Sequence, residues 1–340
     1  MRSLPRLRSP RIQALYRRSI DRPALLLLLT LLILAPLLLN WRYVAPLPPV
    51  EARVTRLDSK VVTQNRGSVQ SATASAKAWA SNGLFQLPGT APAPRGRARH
   101  EVFYSSALDR RMDYWLYLPP SYAGSDRRYP VLYVLHGRGG SSSEWKELGL
   151  FDQADALIRQ QKIAPLIIVA PQGELGYWMN HANGGPRWGD YITQDLVGHI
   201  DASYRTQTER SHRAIGGISM GGHGAIQLAL HHPELFGAVG GHSAVFRTEV
   251  EAFPFFGTGA DYQQRDPVSL VRDLNAPVPF ALWLDMGASD PWLPRTFVFH
   301  EILSERGIAH SWRLDPGGHE GAYWSGHLRA YLEWYDEELR

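Results

Sequence analysis

The sequence predicts an α/β fold with a mostly parallel central sheet and helices on both faces. Three observations carry that prediction. Short, continuous apolar runs recur from Tyr129 onward, each ending at glycine or a polar turn, as strands buried on both faces do. Helix-length segments alternate with these runs, which is how parallel strands are linked. One run, Arg213–Ile218, passes through Gly217-Ile218-Ser219-Met220-Gly221 directly into a helical pattern, so a serine stands on a tight strand-to-helix turn.

In chain order, residues 100–108 and 111–120 alternate like two paired strands with a turn at Asp109–Arg111, and Pro119-Pro120 ends the second. Residues 129–137 (YPVLYVLHG) form a buried strand, Asp152–Gln161 an amphipathic helix, and 164–173 (APLIIVAPQG) a second buried strand. Tyr191–Tyr204 reads as a helix because Ile192, Leu196, Val197 and Ile200 share one face. The strand 213–218 and the helix over 224–233 follow. Strands at 235–243, 279–287 and 311–317 alternate with helices at Thr296–Arg306 and Leu328–Leu339.

The first hundred residues differ in composition. Residues 1–23 carry a net charge of +6 and read as a basic cytoplasmic tail. Ala24–Leu39 is an uncharged, leucine-rich stretch, slightly short of the ~20 residues of a spanning helix, and Trp41, Tyr43 and Val44 extend it into the interface. The reading is a signal anchor, a single transmembrane helix over 24–43, with the rest of the chain outside the cytoplasm by the positive-inside rule. Cleavage as a signal peptide, giving a secreted protein, is the other reading. It is disfavoured by the long apolar stretch and the lack of an A-x-A site after Leu39. Residues 44–97, rich in Pro, Ser, Ala and Gly, read as a flexible linker, and 98–340 as the globular domain. The overall charge is +4, yet 98–340 carries −8, which argues against a nucleic-acid partner. The chain has no cysteine, which excludes thiolate catalysis, disulfides and cysteine-ligated metals.

A serine hydroxyl becomes nucleophilic only when a base takes its proton, and the base needs a third group to fix its tautomer. On folds with this elbow the acid and then the histidine follow the serine, each after a strand. Asp285 and Asp290 both follow the run Phe280–Leu284. Asp290 lies in the loop beyond the strand and is the preferred acid, while Asp285, at the strand end, reads as a brace for that loop. His319 stands in a glycine-rich loop after Trp312–Leu314 and is the preferred base; His310 and His327 read as surface residues. His136-Gly137-Arg138-Gly139-Gly140 follows an early buried strand and can donate backbone N–H groups to an oxyanion. The preferred donors are Arg138, with Gly139 the near alternative, and Met220 at the start of the helix. His223 reads as packing on its helix. Asp190, His181 and Asp195 lack metal-site spacing, and no metal or cofactor is expected. Tyr177-Trp178-Met179-Asn180 and Trp188, with Phe253, Phe255 and Phe256, are candidates to line a substrate cleft or simply to cover the core.

The segments 129–140, GGISMGGHGAIQLALHHPELFGAV around Ser219, and DMGASD followed by PGGHEGAYW resemble the putative-esterase family, which includes esterase D, bacterial feruloyl esterases and the antigen 85 mycolyltransferases. The resemblance covers residues 98–340. It implies an α/β-hydrolase fold with Ser219 as nucleophile, Asp290 as acid and His319 as base, and with Arg138 and Met220 at the positions of the oxyanion amides. Trp324 matches an aromatic position common in the family and, with Trp178 and Trp188, is a candidate substrate contact. An export segment sets the chain apart from the cytosolic esterase D-like enzymes. The expected function is therefore an extracytoplasmic serine esterase. The alternatives are an acyltransferase to an envelope sugar or lipid, and a non-catalytic binding module of the same fold.

Overall fold

In the computed structural model the described residues are 95–274 and 277–340. The basic tail, the apolar segment 24–43 and nearly all of the 44–97 linker lie outside them. Among the described residues no helix is long and apolar enough to cross a membrane.

Strand β1 (Arg97–Ser105) pairs antiparallel with β2 (Arg110–Leu118). The turn between them falls at 106–109, earlier than the sequence predicts, because Asp109 takes a left-handed conformation (φ 51°) and Arg110 and Arg111 already pair with Ser105 and Tyr104. The strands β3 (Val131–Leu135), β4 (Ile167–Pro171), β5 (Arg213–Ile218), β6 (Ala238–His242), β7 (Ala281–Gly287) and β8 (Ser311–Asp315) complete an eight-stranded sheet. Its order is β1-β2-β4-β3-β5-β6-β7-β8, and every pair from β4 to β8 is parallel. The antiparallel edge adds to the fold read from the sequence, and the alternating polar pattern of β1 and β2 fits its exposed position.

The helices are α1 (Glu144–Glu147), α2 (Leu150–Arg159), α3 (Trp188–Asp190), α4 (Val197–Ser203), α5 (Met220–His231), α6 (Ala260–Gln263), α7 (Pro267–Asp273), α8 (Leu293–Glu305) and α9 (Gly321–Glu338). A π-helical stretch, Tyr191–Leu196, joins α3 to α4. Alternate strand residues feed two separate cores. Val131, Tyr133, Leu135 and Ile215 pack toward α4, α5, α7 and α8, whereas Leu132, Val134, Ala214 and Ile218 pack toward α2 and α9. Strands buried on both faces are the reason their sequences run continuously apolar. Helix α9 begins seven residues before the predicted start, so its first turn follows His319 almost directly.

The close approach of α9 to the sheet depends on two missing side chains. A Cβ on Gly216 of β5 or on Gly240 of β6 would overlap the Tyr335 hydroxyl. All parallel strands end at the same edge. That edge carries the 136–140 loop after β3, Ser219 after β5, Ser243 after β6, Asp290 after β7 and His319 after β8. The crevice beyond the carboxyl ends of parallel strands is where this kind of sheet positions chemistry.

Candidate active site

Ser219 sits between β5 and α5 at φ 56° and ψ −115°, a left-handed conformation that costs a non-glycine residue of order 1–3 kcal/mol. The turn closes only because its flanks are small. A Cβ on Gly217 would run into the Gly221 backbone, and one on Gly221 would run into the carbonyls of Leu135 and His136. The strained turn is held by the Ser219 N–H donating to His242 O (3.0 Å) and by its carbonyl accepting from His223 N (3.2 Å) and Val245 N (3.1 Å).

His319 Nε2 lies 2.9 Å from Ser219 Oγ, and its Nδ1 lies 2.7 Å from Asp290 Oδ2. An ionised carboxylate only accepts, so Nδ1 carries the proton and Nε2 is left as acceptor for the serine hydroxyl. The other Asp290 oxygen accepts the Trp292 N–H at 2.9 Å, and Asp290 is buried, which fixes the carboxylate in one orientation. Trp324 packs edge-on against the imidazole, with ring centroids 5.2 Å apart and planes at 87°. Its indole donates to Ser243 Oγ (3.0 Å).

The 136–140 loop runs beside Ser219: a Cβ on Gly137 would stand 3.4 Å from Ser219 Cβ. Glu144 and His136 help to hold it. Glu144 Oε2 accepts the Gly137 N–H at 2.7 Å. His136 accepts the Gly173 N–H on Nε2 (2.9 Å), so its Nδ1 bears the proton and donates to Gly137 O (2.7 Å). Burial pushes the His136 pKa down, which keeps this neutral tautomer. Burial pushes the Glu144 carboxyl up, against the pull of the Gly137 N–H. Neither Arg138 N–H nor Met220 N–H donates to another described residue, and Met220 is the first residue of α5, where no intrahelical acceptor exists.

The aromatic candidates separate. Trp178 is 0% exposed, donates its indole N–H to His136 O (3.3 Å) and packs against Gly173 and Gly224. Trp188 is equally inaccessible, wedged between Gly176, Tyr191 and the Arg110 guanidinium. Neither presents surface to a cleft, so as positioned they are packing residues, Trp178 for the 136–140 loop. Trp324 is also buried, and what it touches is His319. His310 and His327 are half-buried rather than on the surface, bonded to His300 and to Tyr323 O respectively. His223 is enclosed by Tyr177, Phe246 and Phe256, and burial lowers its pKa to about 4. Among the described residues no group of three His, Asp or Glu side chains is arranged to hold a metal ion.

Asp285 occupies a different place from Asp290. It is fully buried and accepts from His242 Nδ1 (2.6 Å), Trp283 Nε1 (3.0 Å), Tyr323 OH (3.1 Å) and Tyr331 OH (2.7 Å). Burial alone would raise its pKa, but the facing His242 and these hydrogen bonds outweigh it and hold the carboxyl below its ordinary value. Asp285 O also accepts the Ser243 N–H at 2.8 Å. The sequence signal for this network was weak, because its members are scattered over β6, β7 and α9. Asp285→Ala would strand four buried donors and should cost about 3–5 kcal/mol, read as a lower urea midpoint at pH 7. A depressed carboxyl pKa gives stability that is present above the unfolded value of about 4 and is lost as the pH falls through the folded one. The gap between wild type and variant should therefore close in acid.

A chain with this fold and this serine-centred site can be set beside known proteins. Esterase Rv1288 of Mycobacterium tuberculosis is 30% identical over 253 residues, covering 64% of this chain and 54% of its own, so this chain spans about half the length of that relative. A ferulic acid esterase structure superposes with a TM-score of 0.65 at 24% identity, covering 72% of this chain and 99% of its own. The S-formylglutathione hydrolase of Agrobacterium tumefaciens gives 0.64 at 23%, covering 74% and 98%. These structures share the α/β-hydrolase fold with it. The model of the family described as Putative esterase matches residues 105–335, and the chain belongs to that family.

Proposed function

We propose that this protein hydrolyses carboxylic esters through an acyl-enzyme on Ser219. The observation that carries the reading is the continuous hydrogen-bonded line from Ser219 Oγ through His319 to Asp290. His319 Nε2 takes the hydroxyl proton as Oγ attacks the ester carbonyl, and Asp290 holds and stabilises the imidazolium. The Arg138 and Met220 N–H groups receive the oxyanion, helped by the positive end of α5. As the tetrahedral intermediate collapses, the C–O bond to the alcohol breaks and His319 Nε2 returns the proton to it. Water then attacks the acyl carbonyl with His319 again as base, releasing the carboxylic acid and restoring Ser219. The named relatives, an esterase and a ferulic acid esterase among them, support the ester as substrate.

We also propose that residues 24–43 anchor the chain and that the 98–340 domain works outside the cytoplasm. This rests on the apolar stretch and the arginine-rich tail before it. The test of the activity is turnover of 4-nitrophenyl acetate, butyrate and octanoate by the full chain, with products analysed with and without a sugar acceptor. Free acid as the product in both cases is the expected result. An acylated sugar would make the protein an acyltransferase, and no turnover of any ester would overturn the reading.

A further inference from the structure

Two arginines stand close in the chain to residues that touch Ser219, and neither forms an ion pair with a described carboxylate. Arg138 follows Gly137, which lies against Ser219. Its guanidinium sits over the Phe253 ring, 5.2 Å from the centroid. Arg247 follows Val245 by two residues, and Val245 N–H bonds Ser219 O. Its guanidinium lies 4.8 Å from the same Phe253 ring and 4.9 Å from Trp292, the residue whose N–H holds Asp290. Arg247 Nε donates to Tyr177 OH at 2.8 Å, while its two terminal nitrogens donate to no described residue.

Stacking on aromatic rings orients a guanidinium without cancelling its charge. The nearby acids are turned elsewhere: Glu249 accepts Gly259 N, Glu251 accepts Thr248 N and Oγ1, and Glu144 accepts Gly137 N. Neither arginine forms an ion pair among the described residues, whereas Arg213, Arg265 and Arg295 all do. General basicity does not explain them, since 98–340 is net acidic. A planar fork of unspent donors, held in place beside a nucleophile, is the arrangement that recognises a carboxylate or phosphate.

We infer that the preferred substrate is an ester bearing a negatively charged group, which Arg247 and Arg138 hold while Ser219 attacks. This inference rests on the hydrolase reading above. It is tested on the full chain with two matched pairs of esters. Mono(4-nitrophenyl) adipate against 4-nitrophenyl hexanoate sets the charge on the acyl side. 4-Acetoxybenzoate against phenyl acetate sets it on the alcohol side. For wild type, kcat/KM should favour the charged member of at least one pair. In Arg247→Gln that preference should fall about 10-fold or more, as expected for losing a hydrogen bond to a charged group, and Arg247→Lys should keep part of it. Added salt should erode the wild-type preference. An unchanged charged-to-neutral ratio in Arg247→Gln, including an equal loss on both members, would overturn the inference while leaving the hydrolase reading intact. No turnover of any of the four esters by wild type would overturn both.

Discussion

Ser219→Ala is expected to lower kcat for any accepted ester by roughly 10⁴-fold or more, leaving the slow rate that oxyanion donors and binding alone sustain. The substitution removes one oxygen whose hydrogen-bond partner in the fold is His319 Nε2. It leaves the elbow's backbone bonds to His242, His223 and Val245 in place. Alanine tolerates φ 56° no worse than serine, so the unfolding midpoint should scarcely move. The same change should abolish labelling by a fluorophosphonate, which reacts with an activated serine. Ser243 offers no substitute: it is fully buried, and its Oγ accepts the Trp324 indole rather than facing a base. Wild-type turnover in Ser219→Ala would mean that the nucleophile lies elsewhere.

Asp290→Asn is the second large effect, roughly 10⁴-fold in kcat, by the reasoning that applies to other Ser-His-Asp sites. The local geometry says why an isostere fails. Trp292 N–H points at one Asp290 oxygen and must meet an acceptor there, so the asparagine carbonyl is forced to that side. Its NH₂ then faces His319 Nδ1, where the carboxylate stood. Two donors cannot face each other, so the imidazole proton moves to Nε2 and the ring can no longer accept from Ser219. Steady-state kinetics should show the loss in kcat, with thermal unfolding close to wild type. The contrast with Asp285→Ala is sharp, because that change should damage the fold. If Asp290→Asn kept full activity and Asp285→Asn lost it, the two aspartates would have to exchange roles.

Much of this arrangement was legible in the sequence because it lies at strand ends. Continuous apolar runs marked the parallel strands, and their order left few positions for an acid and a histidine after Ser219. Of the two aspartates five residues apart, the strand-end Asp285 pairs inward with His242, while Asp290, in the following loop, bends to His319. What did not show was everything settled by long-range packing. Trp178 and Trp188 read as candidate cleft walls, since an aromatic in a strand-to-helix loop has the same pattern whether it faces solvent or the core. Glu144 is hidden in a polar stretch, and nothing local says that its carboxylate reaches back seven residues to Gly137. The edge pair β1 and β2 was visible as a hairpin, but its antiparallel docking on β4 follows from the register of the whole sheet.

The buried bonds around His242 and Ser243 divide the molecule into parts that can and cannot vary separately. One residue's carbonyl holds the Ser219 N–H, and the next residue's hydroxyl holds the indole that braces His319, while both are tied to Asp285. Altering any member should disturb the setting of Ser219 and His319 together with the core. The segment carrying Arg247 and Phe253 hangs outside this knot, in irregular chain after β6. Substitutions in that segment are expected to leave the buried bonds around Ser219 and Asp285 in place. The architecture is therefore modular: a knot of coupled buried residues, and a separate segment whose side chains take no part in it.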